Sequence, residues 1–506
     1  MERPVRGLTE RLRVDVHNDV VERARRVAAE LNCGYILRLQ DKKETLVNIN
    51  NGRTEEIATG SLVGMGVQVF TAEGFSGFAS SDLVSAQAVE DLLKRAFTLA
   101  RYAKEAGGEM SRALFGLAPH QERRILPLRY PYGSLGLDRV EQELGAINKE
   151  LQSLDQRLSV RTIHRLVDEE WRIARHDGTD VVFNTPRAFV YNTFTAKEGQ
   201  ETATTFANIP GSDLAVLLDP EFRQRLMKRS RKAAQLAVAL LSAGRIKSGH
   251  YKLVIDYPLA KGLAHEAFGH AAETDGMETS ILGRNGRMRV GEQVASSIVS
   301  IIDGPVEGDY AYQPISANGI PRETVTIVEN GVLKAGLADL FSAEAAGVPV
   351  TGAGRVESCH HLPLARMTNI RIQVANPYPV EKPFEDLTPA DLYELLRKYN
   401  LMEPGEEVLY LSGFQGGQVN PAFGNFVFNC SGIYRLGEKP VLYRGAIFSG
   451  QILSALQAVI AGLGPIQIDA MGTCGKLFQG VPSSGGSHYF LVLKADEEIT
   501  IGGEAQ

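Results

Sequence analysis

Two histidines and a glutamate lie close together in the segment HEAFGH, residues 265–270. Glu266 follows His265 directly, and His270 comes five residues after His265. In a helical His-Glu-x-x-His pattern, both histidines bind one zinc ion and the glutamate acts as the general base of a peptidase. The chemistry in question is therefore metal-assisted peptide hydrolysis, with a spacing one residue longer than that pattern.

The longer spacing has a geometric consequence. Each residue advances about 100° around an α-helix, so side chains five residues apart point about 140° away from each other. On a regular helix His265 and His270 could not both bind one ion. A single π-turn, or a local widening at Gly269, would bring them to the same face, and such π-bulges are frequent at functional sites. The sequence predicts either a distorted metal-binding helix or two unrelated histidines.

A catalytic zinc site also needs a third protein ligand and an open coordination position. Cys474, in the glycine-flanked segment MGTCGKL, would offer a thiolate. By composition alone the segment ESCHHLP is the stronger cluster, although adjacent residues rarely all face one ion. From the residues themselves the third ligand stays open among Cys474, Cys359, His360, His361, His488 and Glu273.

A helix is predicted to present the two histidines. The strand-like segment YKLVIDY precedes it, and Pro258 is placed to open a helix that runs to about Ala272. A second helix is predicted to begin at Pro389, with Thr388 as its N-cap. The uncharged segment of residues 445–468 contains a proline and several glycines, so we interpret it as a buried core helix over about 448–462 rather than a membrane span.

The rest of the pattern predicts an α+β fold in two domains. Residues 1–31 suit one amphipathic helix, and short turns such as Glu329-Asn330-Gly331 favour antiparallel hairpins over βαβ units. The predicted junction is the segment GRIKSGHY. We expect an N-terminal domain of mixed helices and antiparallel strands over residues 1–245. Residues 246–506 would form a C-terminal metallopeptidase domain that is mainly antiparallel β and carries the metal-binding helix.

Composition excludes several other classes of protein. A formal charge of −6 over 506 residues, without a long basic run, argues against direct nucleic-acid binding. Four widely spaced cysteines are too few for a disulfide scaffold, and the charged N-terminal residues do not look like a secretory signal. We therefore expect a cytoplasmic protein without membrane association. The segments GTCGK and TGAGRVES match neither the phosphate-loop nor the dinucleotide-binding pattern.

Several further segments, in the same order along the chain, make the sequence resemble the TldD/PmbA peptidases, on the metal-binding TldD side. These segments are HEAFGHAAETD, VGEQVAS, VENGVLKAGLAD, GAGRVES with HLPLARMTN, GGQVNPAFGNFVF, GTCGK and ITIGG. The resemblance implies that His265, His270 and Cys474 bind zinc and that Glu266 is catalytic. It also favours Cys474 over the cluster of residues 359–361. It gives no role to His361, Arg366 or Asn369.

The same resemblance implies a peptidase that hydrolyses unfolded or extended peptides, including modified ones, with low sequence specificity. The expected partner is a PmbA/TldE-like subunit in a heterodimer, with a homodimer as the other possibility. We expect the peptide to add as a strand along the segment GFQGGQVNP, where Gly416 and Gly417 would let another backbone approach. After Lys476 the sequence LFQGVPSSGGSHYF departs from the family pattern, which bears on substrate contacts near Cys474.

The sequence leaves two hypotheses open in which the protein is not an enzyme. In one, a fourth protein ligand closes the site and zinc only stabilises the fold. In the other, the chain is a peptide-binding or regulatory partner of another subunit. The intact Glu266 beside the first histidine argues against both.

Overall fold

The computed structural model describes residues 12–502. The predicted N-terminal helix of residues 1–31 falls partly outside this range, and the described part is not a single helix. Arg13–Val16 forms a short 3-10 turn, and the α-helix begins only at Asn18. His17 lies between them with φ −92° and ψ 42°, which is not a helical conformation. This backbone break separates the two segments.

The helices of the described residues vary from single turns to five or six turns. Their bounds are α1 Asn18–Leu31, α2 Ala86–Glu105, α3 Leu137–Gln152, α4 Ala215–Leu218, α5 Pro220–Leu240, α6 Tyr257–Gly262, α7 Ala343–Ala346, α8 Pro389–Lys398 and α9 Ile452–Gln457. The predicted start of α8 is confirmed: the Thr388 hydroxyl accepts from the Asp391 N–H, and Pro389 occupies the first turn.

Within residues 12–502, strands from the first part of the chain form one eight-stranded sheet. Its strands are β1 Gly34–Asn50, β2 Arg53–Phe70, β3 Ser76–Ser81, β4 Gln121–Arg124, β5 Leu158–Arg175, β6 Asp180–Asn184, β7 Arg187–Glu198 and β8 Glu201–Gly211. All pairs are antiparallel except β4 with β6. Helices α1 and α2 pack on one part of this sheet, and α3 and α5 pack on another, each burying aliphatic side chains.

A second sheet, of thirteen strands in the described residues, is built from the later part of the chain. Its strands are β9 Lys252–Asp256, β12 Val299–Gly304, β13 Val325–Glu329, β14 Val332–Leu333, β17 Asn369–Val374, β18 Val408–Asn420, β19 Asn425–Arg435, β20 Val441–Arg444, β21 Ile447–Gln451, β22 Val459–Gln467, β23 Gly472–Lys476, β24 Gln479–Leu493 and β25 Ile499–Gly502. The short pairs β10 Gly283–Arg284 with β11 Arg287–Met288, and β15 Gly354–Arg355 with β16 Leu364–Ala365, lie apart from it.

Strand β24 is the structural centre of this second sheet. It pairs in parallel with β17 and antiparallel with β9, β22 and β23. Strand β9 runs directly into α6, and the histidine segment follows α6. The same long strand therefore fixes the position of the histidine segment, through β9, relative to β23.

The α+β fold class is confirmed, since antiparallel pairing dominates both large sheets and the predicted hairpin at Asn330-Gly331 joins β13 to β14. The predicted core helix over 448–462 is wrong: strands β21 and β22 occupy most of that segment, and only α9 is helical. The division into domains 1–245 and 246–506 stays a prediction. Among the helices of residues 12–502, none combines the length and apolar character that crossing a lipid bilayer requires.

Candidate metal centre

The segment Leu263–Gly269, which continues α6, is a π-helix. Asp256 caps the start of α6 by accepting a hydrogen bond from Leu259, and Pro258 occupies its first turn. The N–H of His270 donates to the carbonyl of His265, a bond that spans five residues. This π-type bond places the two histidines one turn apart, and their ring centroids are 5.2 Å apart. Of the two outcomes that the spacing left open, the structure has the widened turn.

Cys474 reaches the same place from β23. Its Sγ lies 3.6 Å from Nε2 of His270, across 204 positions of sequence. One donor atom from each of His265, His270 and Cys474 lies within 4.8 Å of the others. Within residues 12–502 no other group of three His, Cys, Asp or Glu side chains is arranged in this way. The structure thus brings together the three residues that the family resemblance named.

The protonation of His265 suits a metal ligand. The side chain is fully buried, and neither ring nitrogen has a hydrogen-bond partner in the described structure. Burial, followed by the nearby charges of Lys261, His270 and Arg366, holds the pKa of His265 well below its usual value. A buried imidazole without a hydrogen bond costs free energy, whereas a neutral imidazole nitrogen is a good zinc ligand. One of these unpartnered nitrogens could therefore bind a metal ion.

The Cys474 thiol also has the properties of a ligand. Burial opposes its ionisation, but the hydrogen bond to His270 and the charges of His270 and Arg366 outweigh burial and lower its pKa. The Nε of Arg366 lies 3.4 Å from Sγ, and another guanidinium nitrogen donates to the Cys474 carbonyl. Arg366 is itself completely buried. It therefore fixes both the charge and the position of the sulfur.

A chain of charged groups supports His270 from behind. Its Nδ1 lies 3.1 Å from Oε2 of Glu273, and the same oxygen accepts from Nζ of Lys476 at 2.7 Å. Lys476 also contacts Asp275 at 2.6 Å. Burial alone would lower the pKa of His270, but Glu273 and the contact with Cys474 raise it to about 10. Glu273, considered in the sequence as a weak ligand, instead contacts the His270 ring, in the arrangement that carboxylates adopt behind metal-bound histidines.

The Glu266 side chain is more accessible to solvent than the side chains of His265 and His270. Its side chain retains 24% of its exposure, and Oε2 lies 3.9 Å from Nε2 of His270. His265, on the same π-helix, is fully buried. A carboxylate at the edge of the candidate metal site can exchange protons with a bound molecule, as a general base must.

The other sequence candidates lie elsewhere. The N–H of Cys359 donates to Gln40, and its buried side chain packs in a cluster with the first sheet. His360 pairs with Asp82 at 2.9 Å, and His361 contacts Ser358. Cys359, His360 and His361 each have surroundings in the folded chain that do not involve a metal ion.

His488 is likewise held by backbone groups, the carbonyl of Gly464 and the N–H of Val374. Asn369, to which the sequence gave no role, donates to the carbonyl of Ile468. Arg366 was also left without a role, and no sequence pattern connects it to Cys474, 108 positions away. Such contacts depend on the pairing of distant strands.

Gly416 and Gly417 lie in the second half of β18, where the pairing with β19 is irregular. Strand β9 pairs only with Val408–Leu411 of β18. From residue 412 to 420, β19 is the only strand partner of β18 among the described residues. A side chain at Gly416 would meet open space. This stretch has no second strand partner, although Gly413 donates to Asp256 and Gln415 to Thr204, and its role as a peptide site stays a prediction.

Comparison with known proteins gives a consistent family. The model of the PmbA/TldA metallopeptidase C-terminal domain matches residues 248–481, and that of PmbA/TldA metallopeptidase domain 1 matches residues 35–100. A metalloprotease of Methanocaldococcus jannaschii is 25% identical over 89% of this chain and 94% of its own length. A metalloprotease TldD homolog of Haemophilus influenzae is 31% identical over 54% of this chain and 52% of its own length.

Two further similarities concern the metal and the fold. A protein of Saccharolobus solfataricus named as a zinc metalloprotease TldD homolog is 27% identical over 42% of this chain and 44% of its own length. The crystal structure of TldE from Thermococcus kodakarensis superposes with a TM-score of 0.73 at 15% identity, over 96% of this chain and all of that chain. At that identity, the structural match shows the fold alone.

Proposed function

The chain belongs to the TldD/PmbA family of metallopeptidases, and on that basis we propose that it is a zinc-dependent peptidase acting on unfolded or extended peptides. One observation carries the proposal. A π-helix aligns His265 and His270 with Cys474 from a distant strand, and the reachable carboxylate of Glu266 lies beside them. Three donors and an adjacent acid are the parts of a hydrolytic zinc site.

The donor set favours zinc among the common metals. Two imidazoles and one thiolate are ligands that zinc accepts in catalytic sites, whereas magnesium and calcium prefer oxygen. When bound, zinc supplies a Lewis acid that polarises a carbonyl and makes water more acidic. His270 must lose its proton to serve as a ligand, so binding the metal would release protons. No fourth His, Cys, Asp or Glu in residues 12–502 joins the group, which leaves a position for substrate.

Each residue around the candidate metal centre has a separate proposed role. Glu266 takes a proton from the attacking water and delivers it to the departing amine. Glu273 and Lys476 hold the His270 ring in one orientation, and Arg366 holds the Cys474 sulfur. The surrounding burial excludes bulk water, which strengthens these electrostatic contacts.

Substrate binding is proposed along residues 412–420 of β18, where β19 is its one strand partner among the described residues. An extended peptide can add there through backbone hydrogen bonds, which tolerate many side chains and so explain low sequence specificity. Gly416, where an added Cβ would meet no atom within 4 Å, would let the peptide backbone approach, whereas the space beside Gly417 is filled by Val427 and Phe428 of β19. The proposed partner is a paralogous PmbA/TldE-like subunit, and a second copy of this chain is the alternative.

Elemental analysis tests the metal site. We expect about one zinc per purified wild-type chain and a large loss in Cys474→Ala. The matched control is Cys430→Ala, which removes another buried cysteine of the same sheet that lies outside the group of donors. Equal zinc content in all three proteins would contradict the assignment of Cys474.

The catalytic step is tested with Glu266→Gln, which keeps the shape of the side chain but cannot accept the proton. With the candidate partner present, we expect zinc content to be retained and peptide hydrolysis to fall by about 10²–10⁴-fold. Full peptidase activity in this variant would refute the proposed base. If neither the wild type nor the variant hydrolyses peptides while both bind zinc, a zinc-stabilised peptide-binding or regulatory subunit is the better description.

A further inference from the structure

Lys261 is a buried cation close to the candidate metal centre. The residue is 5% exposed, and its Nζ makes one hydrogen bond, to the hydroxyl of Ser483 at 3.2 Å. No carboxylate of residues 12–502 lies within 4.0 Å of it, the limit for an ion pair. Burial lowers the pKa of Lys261, and the charges of Glu266, Cys474 and Asp309, none of them in direct contact with the ammonium, oppose this only in part. The hydration that this ammonium loses on burial is therefore incompletely replaced.

The position of this ammonium relative to the donors follows from two elements. Lys261 precedes His265 by four residues, or about 6 Å along a helix axis. Its Nζ faces Gly472, where an added Cβ would come within 3.1 Å. Gly472 and Cys474 are two residues apart on one face of β23, a separation of about 6.6 Å. Both elements therefore place the ammonium about two residues of extended peptide away from the metal donors.

Lys261 also lines the wall of a cavity of about 450 Å³ that lies between α5, α6 and β18. The three metal donors are not part of this wall, whereas Lys261 and Met471 are. Most of the remaining wall is apolar or aromatic, with side chains of Leu236, Phe384, Leu392, Tyr410, Phe414 and Phe490. Lys261 thus belongs both to the wall of an apolar cavity and to the surroundings of the candidate metal centre.

The other charged groups of this wall already have partners. Arg229 pairs with Glu385 and Asp469, and Nζ of Lys232 donates to the carbonyl of Leu387. Asp256 accepts hydrogen bonds from the N–H groups of Leu259 and Gly413. Among the described residues of the wall, Lys261 is the cation whose partner is only a hydroxyl group.

We propose that Lys261 binds a carboxylate of the peptide substrate near the scissile bond, with a neighbouring apolar side chain in the cavity. The carboxylate is either the C-terminal α-carboxylate or the side chain of an aspartate or glutamate. This inference rests on the proposed peptidase function and adds to it a substrate class, peptides that are anionic next to an apolar residue.

Peptide kinetics on the metal-loaded protein with its partner test the inference. The probes are an alanine-rich hexapeptide ending in leucine, as the free acid and as the C-terminal amide, and amidated versions with one internal glutamate or glutamine. A hydrogen-bonded charge pair predicts a preference of about 10- to 100-fold in kcat/KM for one of the carboxylate peptides over its neutral match. The pair that shows the preference identifies the source of the carboxylate.

Variants then locate the preference. It should vanish in Lys261→Met, return at least in part in Lys261→Arg, and persist in Lys232→Met, the matched control that removes the other lysine of the wall. Zinc content and thermal unfolding of each variant are measured alongside. The inference is overturned if wild type has the same kcat/KM for the carboxylate and neutral peptide of each pair. It is also overturned if Lys261→Met keeps the preference. Neither outcome depends on whether the other variants fold.

Binding without hydrolysis separates this inference from the proposed function. The same four peptides, labelled with a fluorophore, are titrated by anisotropy into Glu266→Gln and into Glu266→Gln with Lys261→Met. A preference for carboxylate that disappears with Lys261 supports the inference even if no peptide is hydrolysed by wild type. Hydrolysis by wild type with no preference in either assay overturns the inference and leaves the peptidase intact.

Discussion

The close packing around Gly269 makes a specific prediction about the π-helix. A Cβ added at Gly269 would lie 2.0 Å from Sδ of Met367 and 3.1 Å from both the carbonyl of Ala264 and Cδ1 of Ile370. Met367 is fully buried, so its sulfur has no solvent to move into. We predict that Gly269→Ala forces a shift of the backbone directly before His270.

The expected magnitude combines two opposing effects. Alanine improves helix propensity by up to about 1 kcal/mol relative to glycine. Overpacking a buried site costs about 1–3 kcal/mol. The free energy of unfolding should therefore fall by about 0–2 kcal/mol, while displacement of His270 weakens zinc binding by about 10- to 100-fold, as disturbed support of a ligand does.

The assay is competition for zinc against a chromogenic chelator, with thermal unfolding of the same samples. Gly276→Ala is the matched control, because an added Cβ there meets no atom within 4 Å. Adding Met367→Ala to Gly269→Ala removes the clashing sulfur and should recover part of the zinc affinity, a coupling that separated sites would not show. Wild-type affinity in Gly269→Ala would refute the idea that tight packing sets the π-turn.

Three further predictions concern groups around the site. Burial raises the pKa of Asp256 to about 6 from about 3.8, so its contribution to stability is full below about pH 4 and is lost as the pH rises through 6. From pH 4 to 7 the unfolding free energy of wild type should drop by about 2 kcal/mol relative to Asp256→Asn, and parallel curves would count against this. Glu273→Gln, which removes the anion behind His270, should weaken zinc binding by about 10- to 100-fold in chelator competition, and an unchanged affinity would exclude this support. Leu477 and Phe478 both have positive φ in the two-residue turn between β23 and β24, a conformation that asparagine and glycine adopt more easily. Leu477→Asn with Phe478→Gly should therefore raise the free energy of unfolding by about 1–3 kcal/mol. A lower melting temperature in this variant would contradict the reasoning.

The sequence was most informative where structure is local. The five-residue spacing of His265 and His270, with Gly269 between them, reduced the possibilities to a widened turn or two unrelated histidines, because helix geometry depends only on nearby residues. The start of α8 at Thr388 followed from capping chemistry for the same reason. These features could be worked out without knowing how the sheets pair.

Long-range features could not be predicted in that way. Composition favoured the residues 359–361 over Cys474, and only the family resemblance pointed to the distant thiol. Its position depends on β23 pairing with β24, and β24 with β9. The error over residues 448–462 has a related cause, because buried strands and buried helices both appear as uncharged apolar segments. That these three residues bind zinc stays a prediction.

The cations near the candidate metal centre differ in the partners that they have in the folded chain. Near the candidate metal centre, Lys476 is held by carboxylates, Arg366 by the sulfur and carbonyl of Cys474, and Arg355 by the carbonyls of Met367 and Pro482. Each of these cations has partners that satisfy it in the folded chain. Lys261 is also buried, but its direct partner is only the Ser483 hydroxyl, and the charges of Glu266, Cys474 and Asp309 act on it without direct contact. A buried ammonium without a carboxylate in contact is retained at a cost to stability, and the proposed substrate carboxylate would supply that contact.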